Sequence, residues 1–357
     1  MFPTPRLWLT SAPEPTMERR VKKAGRWGLA LLMLVAALWV TGLLAYQLPG
    51  PGWLRWVAIA GWAAFAVTTA LGVARARAGR WPGAVYVGAL VLCGVWWLLL
   101  TPRQDRVWAD DVAQRLKVVE FDGTHVVLDN VRDFTWRSED DHDVRWVRRS
   151  YDLDQLRSAD LVMSYWMGPM IAHTLISFGF ADGRQLVFSL EIRKERGESF
   201  SALGGFFRKF EMTLVAAEET DIIRVRSNVR GEDVYLYRLH GMTREQLKGL
   251  FVSYLGEARK LDAAPAFYNT LTSNCTTIVY ELAKQIAPGL PLDYRLLVSG
   301  YFAEYARDLG VLTPGVDFAT LKARGRITDR ARAAGNDPAF SQVIRQGVPG
   351  MQQGTAP

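Results

Sequence analysis

Three charge-free apolar runs fill the first hundred residues: Trp27–Leu48, Trp56–Ala74 and Trp81–Leu100. Each is about the 20 residues a helix needs to cross the hydrocarbon core of a bilayer. Tryptophans stand near their ends, where an amphipathic indole settles at a membrane interface. A buried core helix would not recur three times in succession across connections of only seven and six residues. Nor is the first run a cleaved leader, since no A-x-A-like site follows it and two more runs come after.

The charges around these runs predict their orientation. Arg19, Arg20, Lys22, Lys23 and Arg26 precede the first run, and Arg75, Arg77 and Arg80 lie between the second and third. The intervening loop carries only Arg55. Positive residues stay on the cytoplasmic side, so the N-terminus and the 75–80 loop are expected there. Everything after Leu100 is then expected outside, in the periplasm of a bacterial inner-membrane protein, with Arg103 and Arg106 as a mild contrary signal.

A net charge of +7 on 357 residues would suit a nucleic-acid binder if it were spread over the chain. It is not. Residues 1–107 hold 12 Lys and Arg against 3 Asp and Glu, which leaves 31 against 33 for the remainder. The positive excess belongs to the membrane-flanking third, and nucleic acid loses its main support. Two cysteines, Cys93 inside an apolar run and Cys275 in a polar context, build no disulfide framework. An apolar fraction of 49% excludes a disordered chain.

From Trp108 the pattern becomes amphipathic. Val118–Phe121 and His125–Leu128 flank Asp122-Gly123 as a hairpin. Extended runs follow at Arg145–Leu153, Leu161–Tyr165, Ile171–Phe180, Gln185–Arg193, Ile222–Val225 and Val234–Leu239. Thr243 and Gln246 form a capping box ahead of a helical repeat from Leu247 to Ala258. A second helix is predicted from Cys275 to Ile286 and a third over Leu296–Leu309. Strands first and helices after make an α+β domain. The expected division is a basic cytoplasmic segment over 1–26, three spans over 27–100, a periplasmic domain over 101–332 and a mobile tail over 333–357.

Chemistry concentrates in one hairpin. Ile176, Phe178, Phe180, Leu186, Phe188, Leu190 and Ile192 share even parity, while His173, Ser177, Ser189 and Glu191 are odd. Both strands keep one parity only if the loop has an odd number of residues, and Ala181-Asp182-Gly183 meets that need. His173 then falls opposite Glu191. Cys275 lies at a helix start, with Ser273 or Asn274 as cap, where the dipole favours a thiolate and free amides can receive an oxyanion. A nucleophile, a base and an orienting group are therefore present, although a lone Cys or a strand His is more often a core residue. Glu139–Asp143 reads as a solvated turn rather than a cation site, and His125 and His240 receive no chemical role. Arg193, Lys194, Arg196, Arg208 and Lys209, interleaved with phenylalanines, read as either a lipid-phosphate rim or an ordinary charged surface.

Five stretches in this region carry a family resemblance: DNVRDFTWRSEDD, YDLDQL, AHTLISFGFADGRQLVFSLEIRKERGESFSALGGFFRKFE, DVYLYRL and FYNTLTSNCTT. Over Trp108 to about Leu309 the chain resembles the Lnb N-terminal periplasmic domain family. That family in turn resembles a circularly permuted NlpC-type papain-like fold, in which His precedes Cys, as in the lecithin–retinol acyltransferase relatives. The resemblance implies Cys275 as nucleophile, His173 as base and Glu191, in preference to Ser189, as the third group. It implies acyl chemistry on a phospholipid or lipoprotein at the membrane surface, through a thioester and without cofactor or metal. The rival expectations are a peptidoglycan peptidase or amidase held near the wall, and a non-catalytic membrane module in which Cys275 only packs. The oligomeric state is not legible.

Overall fold

Helices form where the apolar runs predict them: α1 (Met17–Gln47), α2 (Gly52–Ala74) and α3 (Arg80–Leu99). The structure, a computed structural model, describes residues 17–77 and 79–351. Residue contacts divide the chain into two units, Met1–Thr101 and Pro102–Pro357. In the first, α1 begins before the expected boundary and carries the basic residues from Arg19 to Arg26 on its opening turns. All three helices are long and apolar enough to cross a membrane. Small residues line their contacts, among them Ala30, Ala37, Ala66, Ala70 and Ala74, which lets the backbones approach closely. Two polar handles are spent inside: Trp62 Nε1 donates to Ala37 O at 3.0 Å, and Tyr86 Oη donates to Met33 O. Leu31, Leu32, Leu38, Leu92 and Leu98 stay exposed, as lipid-facing side chains do.

The second unit is mixed α and β. Its strands are β1 (Lys117–Phe121), β2 (His125–Arg132), β3 (Thr135–Trp136), β4 (His142–Asp143), β5 (Trp146–Asp152), β6 (Leu156–Tyr165), β7 (Ala172–Phe180), β8 (Gln185–Arg193), β9 (Glu211–Glu218) and β10 (Asp233–Arg238). The main sheet runs β1-β2-β9-β8-β7-β6-β10, with β5 added on β2 and β3–β4 as a separate ribbon. Its ladders are antiparallel except for the parallel contact of β2 with β9. Helix α4 (Ala202–Phe206) precedes β9, and α5 (Glu219–Arg224) follows it. Then come α6 (Arg244–Ala263), α7 (Cys275–Ile286), α8 (Phe302–Asp308), α9 (Phe318–Gly325), α10 (Thr328–Ala334) and α11 (Phe340–Arg345).

All nine residues of β7 are buried, because helices cover both faces of the sheet. Ile176, Phe178, Phe180 and Phe188 meet Phe251, Tyr254 and Leu255 of α6 on one face. The capping box of Thr243 and Gln246 starts that helix as predicted. On the other face, Leu175, Val187, Val215 and Ala217 pack against Ile222, Ile223, Phe340 and Ile344.

Three expectations are corrected, the first two by that second layer. Ile222–Val225 is no strand: it spans the end of α5 and the start of a π-turn at Val225–Val229. Ile222, Ile223 and Val225 are all buried, which the alternation of a half-exposed strand does not allow. The stretch after Ala333 is not a mobile tail as far as Met351. Phe340, Ile344 and Val348 recur at four-residue spacing and seal the core, while Arg345 pairs with Asp160 at 2.9 Å and Glu219 at 2.6 Å. Residues 352–357 lie outside the described residues. Leu296–Leu309 is broken into two 3₁₀ turns and the short α8, with Gly300 pressed onto Pro169 and Met170. Because Phe340 is 0% exposed, Phe340→Ala should cost about 3–5 kcal/mol of stability. Denaturation of the detergent-solubilised chain measures this, and an unchanged midpoint would restore the mobile-tail expectation.

Candidate active site

The β7–β8 hairpin closes through Ala181-Asp182-Gly183, with Gly183 at φ +86°, a left-handed conformation that costs glycine least. Phe180 N donates to Arg184 O at 3.0 Å, and the ladder pairs Phe178 with Leu186, Ile176 with Phe188 and Leu175 with Ser189. Continuing that register by two residues sets His173 against Glu191. Their side chains do meet: His173 Nε2 lies 3.2 Å from Glu191 Oε1 and 2.7 Å from Ser189 Oγ. Ser189 donates its single hydroxyl proton to Glu191 Oε1 at 2.7 Å, so its oxygen is left to accept from Nε2–H. The choice between Ser189 and Glu191 therefore dissolves, because both hold the same ring nitrogen. Nδ1 is left for the thiol.

The thiol arrives on α7. Asn274 caps the helix, its Oδ1 accepting from Thr276 N and Thr277 N at 2.9 Å each, while Thr277 Oγ1 accepts from Asn274 N at 2.8 Å. Cys275 is the first helical residue, and it lines the same cleft as the His173 ring. Thr276 Oγ1 sits 3.3 Å from Thr174 Oγ1, which ties the helix start to β7 beside His173. The cap also trims an expectation. Asn274 consumes the Thr276 and Thr277 amides, and Ile278 N bonds Asn274 O, so Cys275 N–H alone is left in the first turn to receive an oxyanion.

Electrostatics favour the ion pair. Burial pushes the His173 imidazole down, but Glu191 and then Cys275 outweigh burial and the opposing Arg226, lifting it to about 9. Burial pushes the Cys275 thiol up, and the His173 charge, its hydrogen bond and the Thr174 backbone bring it below the usual thiol value. Burial also acts upward on Glu191, yet His173 and Arg226 hold it well below the usual carboxylate range. The protons of Cys275 and His173 thus leave as a coupled pair, with thiolate and imidazolium coexisting between the two steps.

Sequence reasoning missed Arg226. Its guanidinium reaches Glu191 Oε1 at 2.7 Å and Glu232 Oε2 at 3.3 Å, and Ser164 Oγ donates to Glu232 behind it. It stands on the π-turn Val225–Val229, a helix irregularity frequent at functional sites. The signal was a charge directly after the apolar stretch Ile222–Val225, which meant a buried, paired arginine rather than an outward-facing strand residue. The basic rim is largely absent. Arg193 is buried on the carbonyls of Val112 and Ala113, while Lys194, Arg196 and Lys209 pair with Asp111, Asp110 and Glu198.

Cys275 and His173, only 7% and 8% exposed, lie on the floor of a cleft of about 470 Å³. Trp166, Met167, Phe200, Tyr268 and Leu297 give it apolar walls, and Glu191, Arg226 and Glu232 are its polar end. No group of three or more His, Cys, Asp or Glu is placed to hold a metal ion among the described residues.

Neither a curated protein nor a solved structure matches the chain. Residues 142–300 do match the family model of the Lnb N-terminal periplasmic domain, and that range contains His173, Glu191, Arg226 and Cys275. Three helices able to span a membrane followed by such a domain fit a membrane-integrated, inner-membrane protein with a periplasmic domain. The match begins at β4 and stops before α8, so the helices that complete the second face of the sheet lie beyond it. The family resemblance read from the sequence is supported by this match to the Lnb N-terminal periplasmic domain over residues 142–300.

Proposed function

We propose that the chain is a membrane-anchored, cysteine-dependent acyltransferase or lipid-ester hydrolase working on phospholipid or lipoprotein acyl groups at the periplasmic face. One observation carries this reading: Cys275, His173 and Glu191 line one apolar-walled cleft, with the His173 ring held by Glu191 at 3.2 Å and by Ser189 at 2.7 Å. A permuted papain-like relationship is supported by the same order, a strand-borne His before a Cys that opens a helix.

In the first half-reaction the Cys275 thiolate attacks the ester carbonyl, and Cys275 N–H donates to the oxygen that becomes negative. As the C–O bond breaks, the imidazolium of His173 gives its Nδ1 proton to the leaving alkoxide, which departs as an alcohol. The acyl group is then a thioester on Cys275 and His173 is neutral. An amine or water next attacks the thioester, His173 takes back a proton through Nδ1, and the thiolate leaves. Glu191 and Ser189 keep Nε2 protonated through both steps, so Nδ1 always faces the chemistry. The apolar walls favour an acyl chain over the polar stem peptide of a peptidoglycan substrate.

Full-length protein in vesicles of a phospholipid with a labelled acyl chain tests the reading. Loss of ester with label appearing as free fatty acid or as an amide supports it, and an unchanged ester pool refutes it. Orientation is a separate proposal resting on the Lys and Arg asymmetry. A reporter active only outside the cytoplasm should be active when fused after Trp108 and silent at Gly79; the reverse pattern would overturn the orientation.

A further inference from the structure

Four loops meet at the mouth of the Cys275 cleft, and each shows a large apolar side chain to solvent. Trp166 and Met167 follow β6, Phe200 and Leu203 lie between β8 and β9, Leu271 precedes α7, and Leu297 precedes α8. The loops interlock. Trp166 and Phe200 stand edge to face at 5.9 Å, Thr270 Oγ1 donates to Ala202 O at 2.7 Å, and Gly300 N donates to Met170 O at 2.9 Å. The result is one continuous rim rather than scattered exposed residues, and such a patch marks an interaction surface.

The chain itself points to the partner. Only Leu100, Thr101 and Pro102 separate α3 from Arg103, whose amide donates to Glu211 Oε1 at 2.8 Å. Glu211 opens β9 at the end of the sheet where Glu191 and Lys194 line the cleft. The strap that enters the domain beside the cleft is therefore joined by only three residues to a helix able to span a bilayer.

We propose that this rim is a bilayer-docking surface, which seats in the interfacial layer of the membrane and opens the cleft directly to lipid acyl chains. Apolar side chains that stand exposed to water enter that layer favourably. Lys194, Arg196 and Lys209 are paired with Asp111, Asp110 and Glu198, so docking depends on apolar insertion rather than on anionic lipid. The inference deepens the acyl-transfer reading and rests on it for its purpose, but its test does not require turnover.

The test uses full-length protein with Cys93→Ser and Cys275→Ser, carrying one new cysteine at Leu203, Leu271 or, as control, the 45%-exposed Val119 of β1. Each is labelled with an environment-sensitive fluorophore and reconstituted in phosphatidylcholine vesicles containing a lipid with a nitroxide high on its acyl chain. Loss of most of the fluorescence at Leu203 and Leu271, with little loss at Val119, supports docking. Rim labels that stay as bright as the Val119 label overturn it. In the active background, Leu203→Glu with Leu271→Glu should slow turnover of a vesicle-embedded ester while leaving iodoacetamide alkylation of Cys275 unchanged. Equal turnover by the double variant and the wild type would also overturn docking. Quenching at the rim without turnover in any variant would uphold docking and reject the catalytic reading alone.

Discussion

Cys275→Ser should abolish ester turnover, by on the order of 10⁶-fold if loss of the nucleophile here costs what it does in a serine triad. The hydroxyl is nearly isosteric but its pKa is far above that of a thiol, so His173 cannot hold it as an anion. The capped start of α7 does not depend on the sulfur, since Asn274 and Thr277 make the capping hydrogen bonds. Unfolding should therefore be unchanged, which separates lost chemistry from lost structure. Turnover that survives the substitution would leave Cys275 as a packing residue.

The second large effect belongs to His173. His173→Ala removes both the proton carrier and the charge that lowers the thiol, and should cost roughly 10²–10⁴-fold in turnover. In the wild type the thiolate and imidazolium coexist from the lowered thiol step up to the imidazolium step near 9. Alkylation of Cys275 should thus already be fast below the ordinary thiol range of about 8.5. Without His173 only the Thr174 backbone and Thr276 oppose the burial of the thiol, and the alkylation midpoint should rise. Glu191→Gln withdraws support from the imidazolium, so the His173 step falls and the Cys275 step rises, narrowing the window from both sides. Its loss of turnover should be smaller than the roughly 10⁴-fold seen when a serine triad loses its carboxylate, because Ser189 still holds Nε2. Arg226→Met acts with the opposite sign. It frees Glu191 to face His173 alone, so the alkaline step should rise above its wild-type position, and Arg226→Lys should restore it. A pH profile unmoved by any of these changes would make the cluster structural.

The hairpin bearing His173 was legible because strand parity is unforgiving: an odd loop is the only one that keeps Phe178 and Phe188 on one face. The start of α6 was legible because a capping box is a local device. Arg226 was not, since a buried guanidinium reveals itself only through partners such as Glu191 and Glu232, 35 and 6 residues away in the chain. Strand β9 went unnoticed because Glu211 and Glu218 bound a short apolar run whose faces are both buried, which erases alternation. The core role of Phe340, Ile344 and Val348 was hidden by the glycines and prolines around them, which punctuate a helix too short to show its period. Long-range burial, not local pattern, decided each of these.

The most direct measurement is the mass of the Cys275 peptide from full-length protein quenched with acid during turnover of phospholipid in vesicles. An added acyl mass is expected on Cys275, removed by neutral hydroxylamine as a thioester is and absent in His173→Ala. Unmodified Cys275 during continuing turnover would contradict the thioester route.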